Sequence, residues 1–123
     1  MIKTKRIQEP PEAADGVRFL VDRLWPRGIR KELAHFDFWL KDVAPSAELR
    51  RWFGHSPERW PEFRLRYFRE LGTRAHAWKT ILDAGRKGCV TLLYAARDTE
   101  HNNAVALQEY LVRRALKTAR GAH

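Results

Sequence analysis

One short segment of the chain, DRLWPRG at residues 22–28, combines a carboxylate, two arginines, an indole, a proline and a glycine. The planar guanidinium of arginine donates paired hydrogen bonds to carboxylate and phosphate oxygens. Because the proline stiffens the turn, we expect Arg23 and Arg27 to be preorganised to bind one oxyanion, with Asp22 orienting one guanidinium. In the alternative interpretation, Asp22 and Arg23 pair with each other in a loop that Trp25 closes.

A second segment, YAARD at residues 94–98, lies a few residues before the start of a predicted helix. Its small alanines allow close approach of a ligand, and the free backbone N–H groups in the first turn of a helix attract anions. Asn102 and Asn103 add side-chain donors, so we expect a second part of an anion site here. Alternatively, Asp98 or Thr99 caps the helix and binds no ligand.

Between these segments lie further polar residues that could complete such a site, above all His55. His55 follows Gly54 in a turn predicted to end a helix, and imidazole titrates near neutral pH. We therefore expect His55 and Asp98 to be the candidates for moving a proton. The alternative for His55 is a capping or packing role. No G-x-S-x-G motif is present, so the sequence does not predict a serine nucleophile.

The sequence predicts neither a metal nor a cofactor. Its five histidines lack the paired spacing of metal ligands, and it contains no P-loop and no dinucleotide-binding glycine motif. The single cysteine, Cys89, excludes an internal disulfide and is expected to be an inert core residue at the start of a buried strand.

Positive charge dominates the chain of 123 residues, with 24 Lys and Arg against 15 Asp and Glu, a formal net charge of +9. Residues 63–123 carry 12 basic and 5 acidic side chains, so most of the excess lies in the second half. Such a balance attracts phosphorylated ligands or polyanions. The alternative function is therefore a non-catalytic module, either nucleic-acid-binding or regulatory, that uses this basic surface. A third interpretation is a structural or dimerisation domain.

The length of the chain is that of one domain, residues 1–123, with a core of its own. No apolar run is long enough to span a membrane, and residues 1–6 lead into no apolar signal core. We therefore expect a cytoplasmic protein without a membrane partner. The sequence does not indicate an oligomeric state.

Four strands are predicted, at residues 2–7, 17–21, 36–43 and 89–96. The first carries several basic residues, which is typical of an edge strand. The last runs for eight residues without a charge, as expected of a strand that lies at the centre of a sheet and is buried on both faces.

Apolar residues at helical spacing predict four helices. The first begins after Ser46, which we expect to be its N-cap, and ends near Gly54. The other three cover residues 60–71, 75–82 and 104–115. Gly85 and Gly88 are expected to end the third helix. Strands alternating with helices indicate a single layered α/β domain, with a small mixed or partly parallel sheet flanked by helices. Ligands of such sheets bind beyond the carboxyl ends of the strands, which is where both polar segments lie.

Several runs of the sequence resemble the domain-of-unknown-function family 488. They are DG at residues 15–16, VDRLWPRG at 21–28, WLK at 39–41, APS at 44–46, LR at 49–50, WFGH at 52–55, TLLYAARD at 91–98 and NNA at 102–104. Over nearly its whole length the chain is similar to the short bacterial branch that consists of this domain alone. The resemblance implies a small cytoplasmic α/β protein and implies no activity, because none is established for the family.

The residues chosen on physical grounds lie within these family runs, which favours a single shared pocket. We expect this pocket to bind an anionic, phosphorylated or nucleotide-like ligand. The residues expected to contact the ligand are Asp22, Arg23, Arg27, Lys41, Ser46, Arg50, Tyr94 and Asn102, and those that could move a proton are His55 and Asp98.

Overall fold

A four-stranded sheet and four α-helices form the protein in the computed structural model, which describes residues 1–121 and the side chains of residues 1–117. The strands are β1 (Ile2–Arg6), β2 (Val17–Leu20), β3 (Phe38–Trp39) and β4 (Val90–Tyr94). The helices are α1 (Ala47–Phe53), α2 (Trp60–Gly72), α3 (Ala75–Lys87) and α4 (Asn103–Gly121). The predicted α/β domain is confirmed.

All neighbouring strands of the sheet run parallel, in the order β1-β4-β2-β3. Ile2 lies opposite Val90, and Val90 lies opposite Val17. The charge-free strand β4 is therefore inside the sheet and β1 is at its edge, as the sequence predicts. Because the strands are parallel, their carboxyl ends meet at one edge of the sheet.

The third strand is much shorter than the predicted residues 36–43. Only Phe38 and Trp39 pair with β2. Leu40 already leads into a 3₁₀ turn that carries Val43 into the core. Burial of Val43 thus takes the chain away from the sheet after two paired residues.

Two predictions for the segment that leads from α3 into β4 need correction, one for Cys89 and one for Gly85. Cys89 precedes the strand and is only partly buried, so it is not the enclosed core residue that the sequence predicts. Its carbonyl accepts a hydrogen bond from the backbone N–H of Val17 at 3.2 Å. Helix α3 continues through Gly85, and only Gly88 lies at its C-cap.

The helices pack on one face of the sheet. Phe19 of β2 and Leu92 of β4 form a core there with Tyr67 of α2, Ile81 of α3 and Leu107 of α4. All five side chains are almost inaccessible to solvent. None of the helices within residues 1–121 is long and apolar enough to cross a bilayer.

The opposite face of the sheet is covered by the loop between β2 and β3. Trp25 packs edge-on against Trp39, with ring centroids 5.3 Å apart, and against Phe36 at 5.7 Å. These rings pack around Leu20 and Leu93 of the sheet. Parallel sheets are normally covered on both faces, and here a loop of aromatic residues supplies the second cover.

The same face carries a buried charged cluster around Asp15. The Asp15 carboxylate accepts hydrogen bonds from Lys5 Nζ at 3.1 and 3.2 Å and from the Arg18 guanidinium, and Lys3 Nζ lies 3.5 Å from it. Thr91 Oγ1 donates to the Asp15 carbonyl at 2.8 Å. Asp15 and Arg18 are 1% and 5% exposed. The cluster therefore joins β1 and β2 through one buried carboxylate, and it reaches β4 through the backbone carbonyl of the same residue.

Candidate functional site

A cleft of about 930 Å³ lies at the edge of the sheet where the strands end. It is lined by residues 22–27 after β2, by residues 95–98 and 101–103 between β4 and α4, and by parts of residues 44–55 around α1. Pockets for small molecules typically measure about 300–1,000 Å³. The two polar segments of the sequence therefore meet around one space large enough for a ligand.

Seven of the ten predicted site residues line this cleft, and three do not. The lining residues are Asp22, Arg23, Arg27, Arg50, His55, Asp98 and Asn102. The three outside the lining are Lys41, Ser46 and Tyr94. The ligand-binding and catalytic roles of all ten residues stay predictions.

The three residues outside the lining differ in their surroundings. The Lys41 ammonium lies 4.3 Å from the centroid of the Trp39 ring, a cation–π contact. Tyr94 is buried at the end of β4, and burial raises the pKa of its hydroxyl. Ser46 is the N-cap of α1, as the sequence predicts: its Oγ accepts from the backbone N–H of Leu49 at 3.1 Å.

Ser46 also joins α1 to α2, because its hydroxyl and its backbone N–H both donate to the Glu70 carboxylate, at 2.6 and 2.9 Å. We expect Ser46→Ala to lower the free energy of unfolding by about 1–2 kcal/mol, as loss of an N-cap does. Urea denaturation measures this. The control is Ser56→Ala, which removes only a hydrogen bond to the exposed Glu58 carboxylate. Equal effects of the two substitutions would contradict the capping role.

Asp22 connects the two sides of the cleft. Its carboxylate accepts hydrogen bonds from the backbone N–H of Ala95 at 3.0 Å and from Asn103 Nδ2 at 3.2 Å. Burial raises its pKa, against the opposing effect of these two hydrogen bonds and of the positive charge of Arg50. Within the described residues neither Arg23 nor the other arginine of the turn pairs with Asp22. Asp22 therefore positions the backbone around the cleft.

Asp98 and Asn102 are used to shape the start of α4. Asp98 accepts from the backbone N–H groups of Glu100 at 2.9 Å and His101 at 3.0 Å, and it contacts His101 Nδ1 at 2.9 Å. The Glu100 amide and the His101 side chain lower the pKa of Asp98. Asn102 Oδ1 accepts from the backbone N–H of Val105 at 3.0 Å, as an N-cap does. In the alternative interpretation, Asp98 or Thr99 caps the helix itself. The structure places Asp98 as the cap of the turn just before the helix.

His55 stands at the cleft on a left-handed backbone, with φ of 57°. Its ring is exposed and tilted, 6.5 Å from the ring of Phe53. Within the described residues the imidazole makes no hydrogen bond. A capping role for His55 therefore has no support in the structure, and both ring nitrogens are available to a ligand.

Five arginines line the cleft: Arg23, Arg27, Arg50, Arg51 and Arg97. Within residues 1–117, none of their guanidinium groups forms a hydrogen bond or an ion pair. The Nε atom of Arg50 is buried without a partner. The carboxylates of the described residues that line the cleft are those of Asp22 and Asp98, so the five arginines make the site strongly positive.

Three ionisable residues of the cleft were not among those predicted from the sequence: Arg51, Arg97 and His101. Arg97 lies inside the YAARD segment itself, and Arg51 directly follows a predicted site residue. Adjacency in the chain was thus a signal for both. His101 becomes visible only through its contact with Asp98.

The lining offers few groups for covalent chemistry. Among residues 1–117, no serine, threonine, cysteine, tyrosine or lysine lines it. Cys89 precedes β4 and so lies at the amino end of that strand, the opposite edge of the sheet. No group of three or more His, Cys, Asp or Glu within the described residues could hold a metal ion.

A family model described as the inactive DUF488-N3 subclade matches residues 1–123 of the chain. The chain belongs to this DUF488 family. The resemblance seen in the sequence is therefore confirmed. The DRLWPRG and YAARD segments, which are among the runs that carry this resemblance, lie on the two sides of the cleft.

Relatives in the DUF488 family carry no assigned activity in their names. Uncharacterized protein YeaO of Escherichia coli K12 is 42% identical over 110 residues, which cover 89% of this chain and 96% of YeaO. Uncharacterized proteins Rv3073c of Mycobacterium tuberculosis and Mb3100c of Mycobacterium bovis are each 42% identical over 110 residues, 92% of their length. No solved structure matches the chain significantly.

Proposed function

We propose that the cleft binds an anionic ligand that is phosphorylated or nucleotide-like. The observation that carries this proposal is the set of five arginines around one concave space, none of them paired within the described residues. Guanidinium groups bind phosphate oxygens in pairs, and such charge-assisted bonds are about twice as strong as neutral ones. Like charges gathered around one space repel one another, and an anion bound among them relieves this repulsion.

Backbone donors on the β4 side support the same ligand chemistry. Within the described part of the chain, the backbone N–H groups of residues 96–98 donate to no protein group. These residues line the cleft just before α4. Free backbone N–H groups of a loop can donate hydrogen bonds to an anion, whatever its exact identity.

Binding, rather than catalysis, is the role that the cleft residues favour. Asp98 is engaged by the loop and by His101, which leaves His55 as the available group for acid/base chemistry. In the part of the chain whose side chains the structure describes, no hydroxyl, thiol or amine lines the cleft. The description of the matching subclade as inactive agrees with this choice.

Nucleic-acid binding through the outer surface has less support. Several basic side chains of the second half that lie outside the cleft already have acidic partners: Arg64 and Arg113 with Glu109, Arg66 with Glu62, and Arg86 with Asp83. The side chain of Arg120 lies outside the described residues. Within the described residues, Arg69 and Lys79 on the outer surface also lack an acidic partner. The cleft differs because five unpaired arginines surround one concave space, which suits a small anion better than a polymer.

Removal of Arg27 tests the proposal. We expect Arg27→Ala to change the free energy of unfolding by no more than about 0.5 kcal/mol, because its exposed side chain has no partner in the described residues. Wild type should gain about 2.7 kcal/mol of stability from a ligand at 100 times its Kd, and the variant should lose most of this gain. The measurement is a thermal shift screen with inorganic phosphate, sugar phosphates, nucleotides and short RNA and DNA.

The matched control is Arg69→Ala, which removes an exposed arginine of α2 outside the cleft. It should leave the ligand response intact. Stabilisation by RNA or DNA alone, lost equally in both variants and in moderate salt, would reject the cleft and favour the nucleic-acid module.

We also propose a cytoplasmic location, which the unpaired cysteine supports.

A further inference from the structure

The floor of the cleft is apolar, although its rim is charged. Phe53 and Phe63 line it and are 6% and 2% exposed. Ala44, Ala95 and Ala96 also belong to the lining, and none of them fills the space with a large side chain. Inorganic phosphate would occupy a small part of about 930 Å³ and would leave this apolar surface in contact with water.

The aromatic rings of the floor belong to a stack. The rings of Trp60 and Phe63 lie 22° from parallel with centroids 5.6 Å apart, and those of Phe63 and Phe53 lie 26° from parallel at 4.4 Å. Two members of this stack, Phe53 and Phe63, line the cleft. Imidazole rings of His55 and His101 lie in the same lining. Flat aromatic groups pack well against such surroundings, in offset or edge-on geometry.

The rim above this floor carries the cations. Arg23, Arg27, Arg51 and Arg97 are exposed, whereas Phe53 and Phe63 are buried beneath them. A ligand that satisfies both parts must have an anionic end and an apolar, planar end. Arginine also stacks on aromatic faces, so the rim itself suits a planar ligand.

We propose that the ligand is a planar aromatic ring joined to a phosphate, as in a nucleoside monophosphate, with the ring on the apolar floor and the phosphate among the arginines. This inference rests on the proposed function and narrows it. A sugar phosphate contacts only the rim, and an aliphatic phosphate contacts the floor without stacking.

Titration calorimetry with the full chain tests the ligand class. The probes are the four ribonucleoside 5′-monophosphates, ribose 5-phosphate, octyl phosphate and inorganic phosphate. We expect at least one nucleotide to bind at least tenfold more tightly than ribose 5-phosphate and octyl phosphate, since stacking of a base on aromatic side chains strengthens binding. Equal affinity for nucleotide and ribose 5-phosphate, or tighter binding of octyl phosphate, would overturn the inference and leave the proposed function standing.

A variant that takes up space in the cleft gives a second measurement. Ala47 is the first residue of α1 and lines the cleft, and Ala47→Leu should weaken nucleotide binding at least tenfold while affinity for inorganic phosphate stays within twofold. Ala75→Leu is the matched control, because Ala75 is the first residue of α3 and lies outside the cleft. Equal weakening of both probes by Ala47→Leu would contradict a separate aromatic site, and failure of every probe to bind wild type would reject the proposed function itself.

Discussion

Replacing Asp15 by asparagine is expected to lower the free energy of unfolding by about 3–5 kcal/mol. The substitution keeps the size of the side chain and removes the charge that Lys5 and Arg18 face. Because Arg18 is almost fully buried, its guanidinium would be left without a counterion in a medium that solvates it poorly. Urea denaturation followed by circular dichroism measures the change.

The control for this prediction is Asp83→Asn, which breaks a half-exposed pair with Arg86 in α3. Exposed ion pairs contribute only about 0–1 kcal/mol, so this variant should be nearly as stable as wild type. A cost for Asp15→Asn no larger than that of the control would show that the buried cluster does not hold the strands together.

The pH dependence of stability provides an independent measurement at Asp15. Burial by itself raises the pKa of this carboxyl, but the Glu12 backbone N–H, Lys5 and Arg18 together outweigh it and hold the pKa at about 2, below the ordinary 3.8. Since the folded pKa is the lower one, the ionised carboxylate stabilises the fold above about pH 4, and this contribution is lost as the pH falls toward 2. That part of the acid destabilisation should be missing from Asp15→Asn.

Gly16→Ala is the second substitution expected to have a large effect. Gly16 has φ 65° and ψ −141°, a backbone conformation that glycine adopts far more readily than other residues. A Cβ atom on this residue would lie 1.9 Å from the carbonyl oxygen of Cys89, which is rigid backbone. We expect the free energy of unfolding to fall by more than about 3 kcal/mol, beyond the range of most substitutions.

Gly28→Ala separates the two causes of this loss. Gly28 also has a positive φ, 77°, but a Cβ there would meet no atom within 4 Å. Its cost should be that of the backbone alone, about 1–2 kcal/mol. Thermal or urea unfolding of both variants is the measurement, and an equal cost for the two would mean that the contact with Cys89 relaxes easily.

The parts of the fold that were predictable depend on local signals. Ser46 as the cap of α1 and the burial of β4 follow from a polar residue before a helix and from a charge-free run. The length of β3 was not predictable, because it depends on where Val43 finds space in the core. The alternating pattern of β2 places Arg18 opposite its apolar neighbours, but only the covering loop and Asp15 make that face a buried one.

The candidate cleft was likewise predictable from the sequence only in part. Segment 22–28 and segment 94–98 could be placed together from the rule that parallel strands end at one edge. The hydrogen-bond partners of Asp22 and Asn102 could not be predicted, because they depend on how the loops fold. Asp22 accepts from a backbone N–H in another loop, and Asn102 accepts from a backbone N–H in the first turn of α4. Exposure of Lys41 outside the cleft likewise depends on the turn that ends β3.

The order of the strands has a consequence for synthesis on the ribosome. β1 and β2 follow one another in the chain, but each pairs with β4, and Ile2 finds its partner only at Val90. Such distant pairing makes assembly of a sheet slow. The nascent protein therefore exposes Val17 and Phe19 of β2 until β4 has emerged, and a chain terminated before residue 90 has no sheet centre on which to fold.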